Sequence, residues 1–355
     1  MLCRPAICSH SLGRAWVHDL PSKLDQAARY GFDIELFYED LYYVAKDLPG
    51  GATSENHIQA ARYVRTLCDE RGIAIICLQP FMHYDGLIDR ERHAERVEEM
   101  KLWIELAHIL GTDLIAIPST CLPDDQVSGD RDLITKDMQE VADLGAPEGI
   151  RFAYEALCWG THIDTWEDVW DIVKRVDRPN FGICLDTYNM AGRVYADPTS
   201  PTGKSPTADA DMAASLKRLI QSVDVNKIAF VQVVDAERLA EPLLQGHEFY
   251  DPEQCPRMSW SRNCRLFYGE EDRGAYLPVR DILKAIIVDL GYTGYLSAEL
   301  FNRSLTSADV HVPEDHAQRA AESWRKILAD FDVSHEAQKM GSTRPVTEGA
   351  PRAQL

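Results

Sequence analysis

The chain has 355 residues, a length for one large α/β domain or two smaller ones, and an ordinary apolar content of 45%. Acidic residues outnumber basic ones, 57 to 37, giving a formal net charge of −20. That balance argues against nucleic acid or an anionic membrane as partner, but not against a small anionic molecule met by a local arginine cluster.

In chain order, the N-terminal stretch "MLCRPAICSHSLGRAW" carries no apolar core of a secretory signal. No later run approaches the ~20 apolar residues of a membrane span, so the expected location is the cytoplasm. A first strand, "RPAICSHSL", starts at Arg4, and a second, "DIELFY", at Asp33. The helix "SENHIQAARYVRTLCDERG" follows, with Ile58, Ala61, Val64 and Leu67 on one face and a stop at Gly72. Strand "AIICLQPF" from Ala74 leads to the helix "ERVEEMKLWIELAHILG", which groups Val97, Met100, Ile104 and Ala107 and stops at Gly111. Strands "DLIAIPST" from Asp113 and "IRFAYEAL" from Ile150 come next, then the helix "TWEDVWDIVKRV" with Trp166, Val169, Trp170 and Val173. Strand "FGICLDTYN" from Phe181 precedes the helix "SLKRLIQSV" with Leu216, Leu219, Ile220 and Val223. Strands "IAFVQVVDA" from Ile228 and "GYLSAELFN" from Gly294 complete the set, and "AESWRKILADF" closes it with Ala320, Trp324, Ile327 and Phe331 on one face.

Most of these strand runs are continuously apolar, as strands buried on both faces are. Eight alternations of strand and helix predict a parallel sheet closed into a (β/α)₈ TIM barrel spanning 1–333 as a single domain. The competing open doubly wound sheet would carry a Gly-rich turn after its first strand, where this chain reads "SHSLGRAW". The connections after the sixth and seventh strands are long, which in a barrel points to the active-site face. The polar, aperiodic tail 334–355 is expected to be disordered. Nine cysteines, an odd count without a C-x-x-C pair, read as buried free thiols in a reducing compartment and not as a thiolate zinc site.

The chemistry lies at strand ends. Strand five ends in Glu155, strand six in Asp186 and strand eight in Glu299, while strand seven carries Gln232. Three carboxylates in one low-dielectric mouth repel one another, and a divalent cation relieves that conflict. Oxygen ligation suits Mg²⁺ or Mn²⁺, with Co²⁺ also compatible. Gln232 is the weakest ligand of the four, being a neutral amide.

The strings "FYED", "LQPFMHYDGL", "LWIELAH", "RFAYEALCWGT", "RPNFGICLDTYN", "YADPTSP", "VQVVDAERL", "MSWSRNCRLFYGE", "GAYLPV" and "ELFNR" closely resemble the fungal 3-dehydroshikimate dehydratases of quinate catabolism, from about Arg4 to Phe331. That family is similar to the xylose-isomerase-like barrels. The resemblance implies a metal-dependent lyase that turns 3-dehydroshikimate into protocatechuate and water, with ligands at Glu155, Asp186, Gln232 and Glu299. One departure stands out. Bacterial members carry His three residues after the metal-binding Asp, where this chain has Asn189, an amide that cannot be a general base.

The reaction removes a proton beside a ketone and expels a hydroxyl from the next carbon. A metal would stabilise the enolate as a Lewis acid, and a base and an acid must move protons. His83, after the third strand, is the leading histidine, and Glu35, ending the second, could orient it. His10 is a weaker candidate, whereas His93, His108 and His162 read as surface groups. A cation must meet the substrate carboxylate: Arg262 and Arg265 in the loop after strand seven offer planar forks, with Ser259 as a neighbouring donor. Phe81 and Trp260 could wall the ring. The alternatives are a sugar isomerase or epimerase on the same barrel, a multimetal endonuclease, for which the basic face is missing, and a non-catalytic binding barrel.

Overall fold

The computed structural model describes residues 3–332. The expected tail 334–355 lies outside the described residues. Eight parallel strands close into one barrel in sequence order: β1 Arg4–Cys8, β2 Asp33–Phe37, β3 Ile75–Gln79, β4 Leu114–Pro118, β5 Arg151–Glu155, β6 Phe181–Asp186, β7 Ile228–Gln232 and β8 Tyr295–Ala298. All eight lie within the predicted runs. Closure is through β8 against both β7 and β1, with Ser297 opposite Gln232 and Ala6 opposite Ser297.

Two apolar layers hold the barrel. The larger packs strands against the surrounding helices, as with Ile34, Ile117, Tyr154 and Ile183 against Val64, Met100 and Val169. The smaller, including Ala6, Cys77, Leu114, Ala116, Ala153, Cys184 and Phe230, fills the barrel interior. Side chains of a strand alternate faces. The residue two places beyond an interior plug therefore faces inward one layer higher. That rule carries Cys77 to Gln79, Ala153 to Glu155, Cys184 to Asp186 and Phe230 to Gln232, and so builds a polar ring above an apolar floor.

The predicted helices are present as Ser54–Arg71, Arg90–Leu110, Trp166–Val176, Ala208–Ser222 and Val312–Phe331. Gly72 and Gly111 end the first two in the left-handed conformation, at φ 62° and 73°. Ile220, assigned to the buried face of its helix, is instead 38% exposed. The helices Leu20–Tyr30, Tyr38–Lys46, Arg131–Gly145 and Thr187–Val194 were not expected. Tyr38–Lys46 and Thr187–Val194 follow their strands directly, and Asp19, Asp130 and Asp186 cap three of the four by accepting backbone N–H bonds. The long connection after β7 is also ordered. It holds the helix Pro256–Cys264 and a two-residue antiparallel ladder of Asp235–Ala236 with Arg265–Leu266.

Candidate active site

Glu155, Asp186 and Glu299 converge at the C-terminal mouth: all three are buried, and one carboxylate oxygen of each lies within 4.8 Å of the others. Asp186 divides its oxygens. Its Oδ1 accepts from the backbone N–H of Tyr188 at 2.7 Å and caps the helix Thr187–Val194, while Oδ2 faces the cluster. Asn189 donates through Nδ2 to Glu155 Oε1 and Asp186 Oδ2, each at 2.8 Å. Its i+3 spacing from Asp186 on a helix start is what brings the amide back over the cluster. Gln79 donates to Glu299 Oε1 at 2.8 Å.

Gln232 adjoins this cluster but turns differently. Its Nε2 donates to Glu35 Oε1 at 2.7 Å, and its oxygen accepts from the Cys184 thiol at 3.4 Å. Glu35 also accepts from the Ser297 hydroxyl. The expected pairing of Glu35 with His83 is absent among the described residues: the Glu35 carboxyl is buried beneath the mouth and positions Gln232. The alternation of β2 decides this, because Glu35 stands level with Cys8 and Cys77 inside the barrel.

Arg265 is buried and directed inward. Its Nη1 donates to Asp186 Oδ2 and Glu299 Oε2, each at 2.9 Å, and its Nε to Ser261 at 3.0 Å. The expectation that it reaches out to a substrate carboxylate is thereby corrected: the guanidinium is committed to two buried anions. Arg262, on the preceding helix, is exposed and has no carboxylate partner among the described residues. Ser259 is buried, with its hydroxyl 3.4 Å from Gln254 Oε1. Phe81 packs against Trp103, and Trp260 against Tyr188, so both belong to the core rather than to a ring wall. His10, Phe37 and Phe301 form the aromatic group at the mouth, with ring centroids 4.3 and 4.6 Å from His10.

His83 sits in the left-handed region at φ 57°, with Nδ1 3.3 Å from Thr120 Oγ1. Asp85 ties this loop down, accepting from the Thr120 backbone N–H at 3.0 Å and the Tyr154 hydroxyl at 2.8 Å. Burial, and then the Arg96 and Arg92 charges, lower the His83 pKa to about 4, so the imidazole is neutral at pH 7. His10 is likewise held neutral, by burial and the Arg14 guanidinium. His93, expected at the surface, is buried with Nε2 2.7 Å from Glu140.

Four carboxylates thus lie together against one directly bonded guanidinium. Burial raises the pKa of Glu155 and Glu299 well above the ordinary carboxyl value. Burial likewise raises Asp186, although Arg265 draws it back, and lifts Glu35 to about 7. Charge this poorly compensated in a low-dielectric mouth fits a hard divalent cation. Glu155, Asp186 and Glu299 supply the oxygen donors, and Gln232 stands in register beside Asp186. The sequence reading missed Arg265 as a partner of the cluster, and Asn189 and Gln79 as its donors. Gln79 carries the same signal as the others, a polar residue ending an apolar strand.

The xylose isomerase-like TIM barrel description matches residues 24–327. A 3-dehydroshikimate dehydratase of Neurospora crassa is 55% identical over 93% of this chain and 95% of its own length. A 3-dehydroshikimate dehydratase of Pseudomonas putida is 31% identical over 87% of this chain but only 39% of that longer protein. Among solved structures, a xylose isomerase-like TIM barrel/4-hydroxyphenylpyruvate dioxygenase fusion protein superposes with a TM-score of 0.69 at 28% identity, covering 98% of this chain and 46% of the fusion.

Proposed function

The chain belongs to the xylose isomerase-like TIM barrel family, and from that premise we infer that it is a 3-dehydroshikimate dehydratase, a hydro-lyase. The observation that carries this is identity sustained along nearly the whole of both this chain and the Neurospora enzyme. The substrate ring bears a carboxylate, a ketone and two hydroxyls. Loss of the proton between the ketone and the distal hydroxyl, and of that hydroxyl as water, leaves a dienone that tautomerises to protocatechuate. We place the reaction in quinate catabolism, and the nine free cysteines support a reducing compartment such as the cytoplasm.

Glu155, Asp186, Gln232 and Glu299 are the residues we assign to hold a divalent cation, Mg²⁺, Mn²⁺ or Co²⁺. Such a cation supplies Lewis-acid polarisation of the ketone beside the acidic C–H. Glu35 fixes the Gln232 amide from below. Arg265 neutralises part of the charge on Asp186 and Glu299 and so sets their orientation. Arg262, exposed in the last turn of the helix Pro256–Cys264 and without a carboxylate partner among the described residues, is the cation we assign to the substrate carboxylate; its fork suits bidentate binding. His83, neutral and beside the mouth, is the group we assign to proton transfer.

The test is direct. Purified protein supplied with a divalent cation should generate the catechol chromophore from 3-dehydroshikimate, and chelation should stop it. Failure to form any aromatic product under those conditions would overturn the reading.

A further inference from the structure

Outside the mouth, a cavity of about 430 Å³ opens between the segment after β8, the Leu266–Gly274 loop and the final helix. Its lining is Glu237, Leu266, Arg273, Asn302, Arg303, Ser304 and Arg319. Three arginines around one cavity run against a chain whose net charge is −20. The wall is built, not incidental. Glu270 accepts from the Phe267 backbone N–H at 2.9 Å and holds Arg319 through both oxygens, at 2.7 and 2.9 Å. Arg273 shares that same carboxylate, at 3.4 Å. Arg303 engages Glu237 at 2.6 Å through Nη1 alone.

Three guanidinium groups therefore hydrogen-bond or pair with only two carboxylates, Glu237 and Glu270. Among the described residues, neither Nη atom of Arg273 nor the Nη1 of Arg319 has a carboxylate partner, and Arg273 and Arg303 are about half exposed, leaving their forks accessible. The Ser304 hydroxyl, already in contact with Asn302 and His316, adds a neutral polar group to the lining. Guanidinium forks are the preferred partners of planar carboxylates and of phosphates.

The cavity also touches the catalytic frame. Leu266 follows Arg265, the residue that bridges Asp186 and Glu299. Asn302 in the same wall donates to the Arg265 carbonyl at 2.9 Å, and the Arg265 N–H donates to the Phe301 carbonyl at 3.0 Å. A shift in this wall therefore acts on Arg265 through one peptide and one hydrogen bond.

We propose that this cavity is a regulatory site for a small oxyanion, a carboxylate- or phosphate-bearing metabolite, and that its occupancy is read at the active site through Arg265. Thermal melts and kinetics of the full chain should be measured with inorganic phosphate and, separately, succinate, at constant ionic strength set with NaCl. A saturable rise in Tm with at least one of them, together with a change in kcat or KM, is the expected result. Response to phosphate alone marks a phosphate-bearing ligand, and response to succinate alone a carboxylate. The double variant Arg273→Ala/Arg303→Ala should bind about tenfold more weakly or worse, the effect of losing at least one charge-assisted hydrogen bond. That variant also separates the cavity from chelation or competition at the mouth, none of whose carboxylates it replaces. Equal responses to phosphate, succinate and NaCl, or undiminished binding in the double variant, would overturn the site. Binding without any change in kcat or KM would overturn its regulatory role. Because melting reports binding without turnover, failure here is distinguishable from failure of the dehydratase reading.

Discussion

Each of Glu155, Asp186 and Glu299 carries a distinct set of bonds, so their replacement has separable consequences. Glu155→Ala and Glu299→Ala each remove one oxygen donor, and activity should fall by about two orders of magnitude or more, with metal content falling in parallel. Asp186→Ala removes the helix cap as well, which adds about 1 kcal/mol of destabilisation, visible as a lower Tm. Retained activity with retained metal in all three variants would refute the ligand assignment. His83 is a weaker case. A base with pKa near 4 takes a proton less readily than one near 7, so His83→Asn should reduce kcat by about a hundredfold, the low end of acid–base contributions. Metal content should stay at the wild-type level. A variant with nearly unchanged kcat would move proton transfer to one of the buried carboxylates.

At the scale of elements, the helices Leu20–Tyr30 and Tyr38–Lys46 are joined by a pair inside the protein. Lys23 Nζ donates to Asp40 Oδ1 at 2.6 Å, and both side chains are essentially unexposed. Neither position announces itself in sequence, because lysine and aspartate on short helices ordinarily face water. Asp40→Ala would strand a buried ammonium group, and a loss of about 3–5 kcal/mol is expected. Denaturant unfolding of the metal-loaded protein measures it. A loss below about 1 kcal/mol would show that the lysine escapes to solvent.

For the molecule as a whole, the buried carboxylates link stability to pH. Glu35 is raised to about 7, and Glu155, Asp186 and Glu299 are raised too. A raised folded-state pKa means that the fold binds protons more tightly than the unfolded chain does. Their contribution is therefore full below the unfolded value, ~4.3 for Glu, and is lost as pH rises through the folded value, about 7 for Glu35. A divalent cation needs the carboxylates ionised. The rise in Tm on adding Mn²⁺ should accordingly be larger at pH 8 than at pH 5. A rise independent of pH would mean that these groups are not the ligands.

The barrel was legible because its determinants are local and repeated. Continuously apolar β-branched runs separated by helical periods leave little choice beyond a closed parallel sheet. The polar strand ends were legible for the same reason, since Glu155, Asp186, Gln232 and Glu299 each stand at or near the C-terminal end of an apolar run, the end that forms the mouth of a barrel. What the polar groups do to one another was not legible. Arg265 lies 79 residues from Asp186 in sequence and still bonds to it, and Gln232 turns to Glu35 across 197 residues. Such pairings depend on barrel closure and on the path of the long connection after β7. Whether Arg262 faces solvent while Arg265 is buried depends on where the helix Pro256–Cys264 ends and the short ladder begins. Local propensity determined which residues could reach the mouth; low dielectric and the competition among buried charges decided which of them are committed to each other.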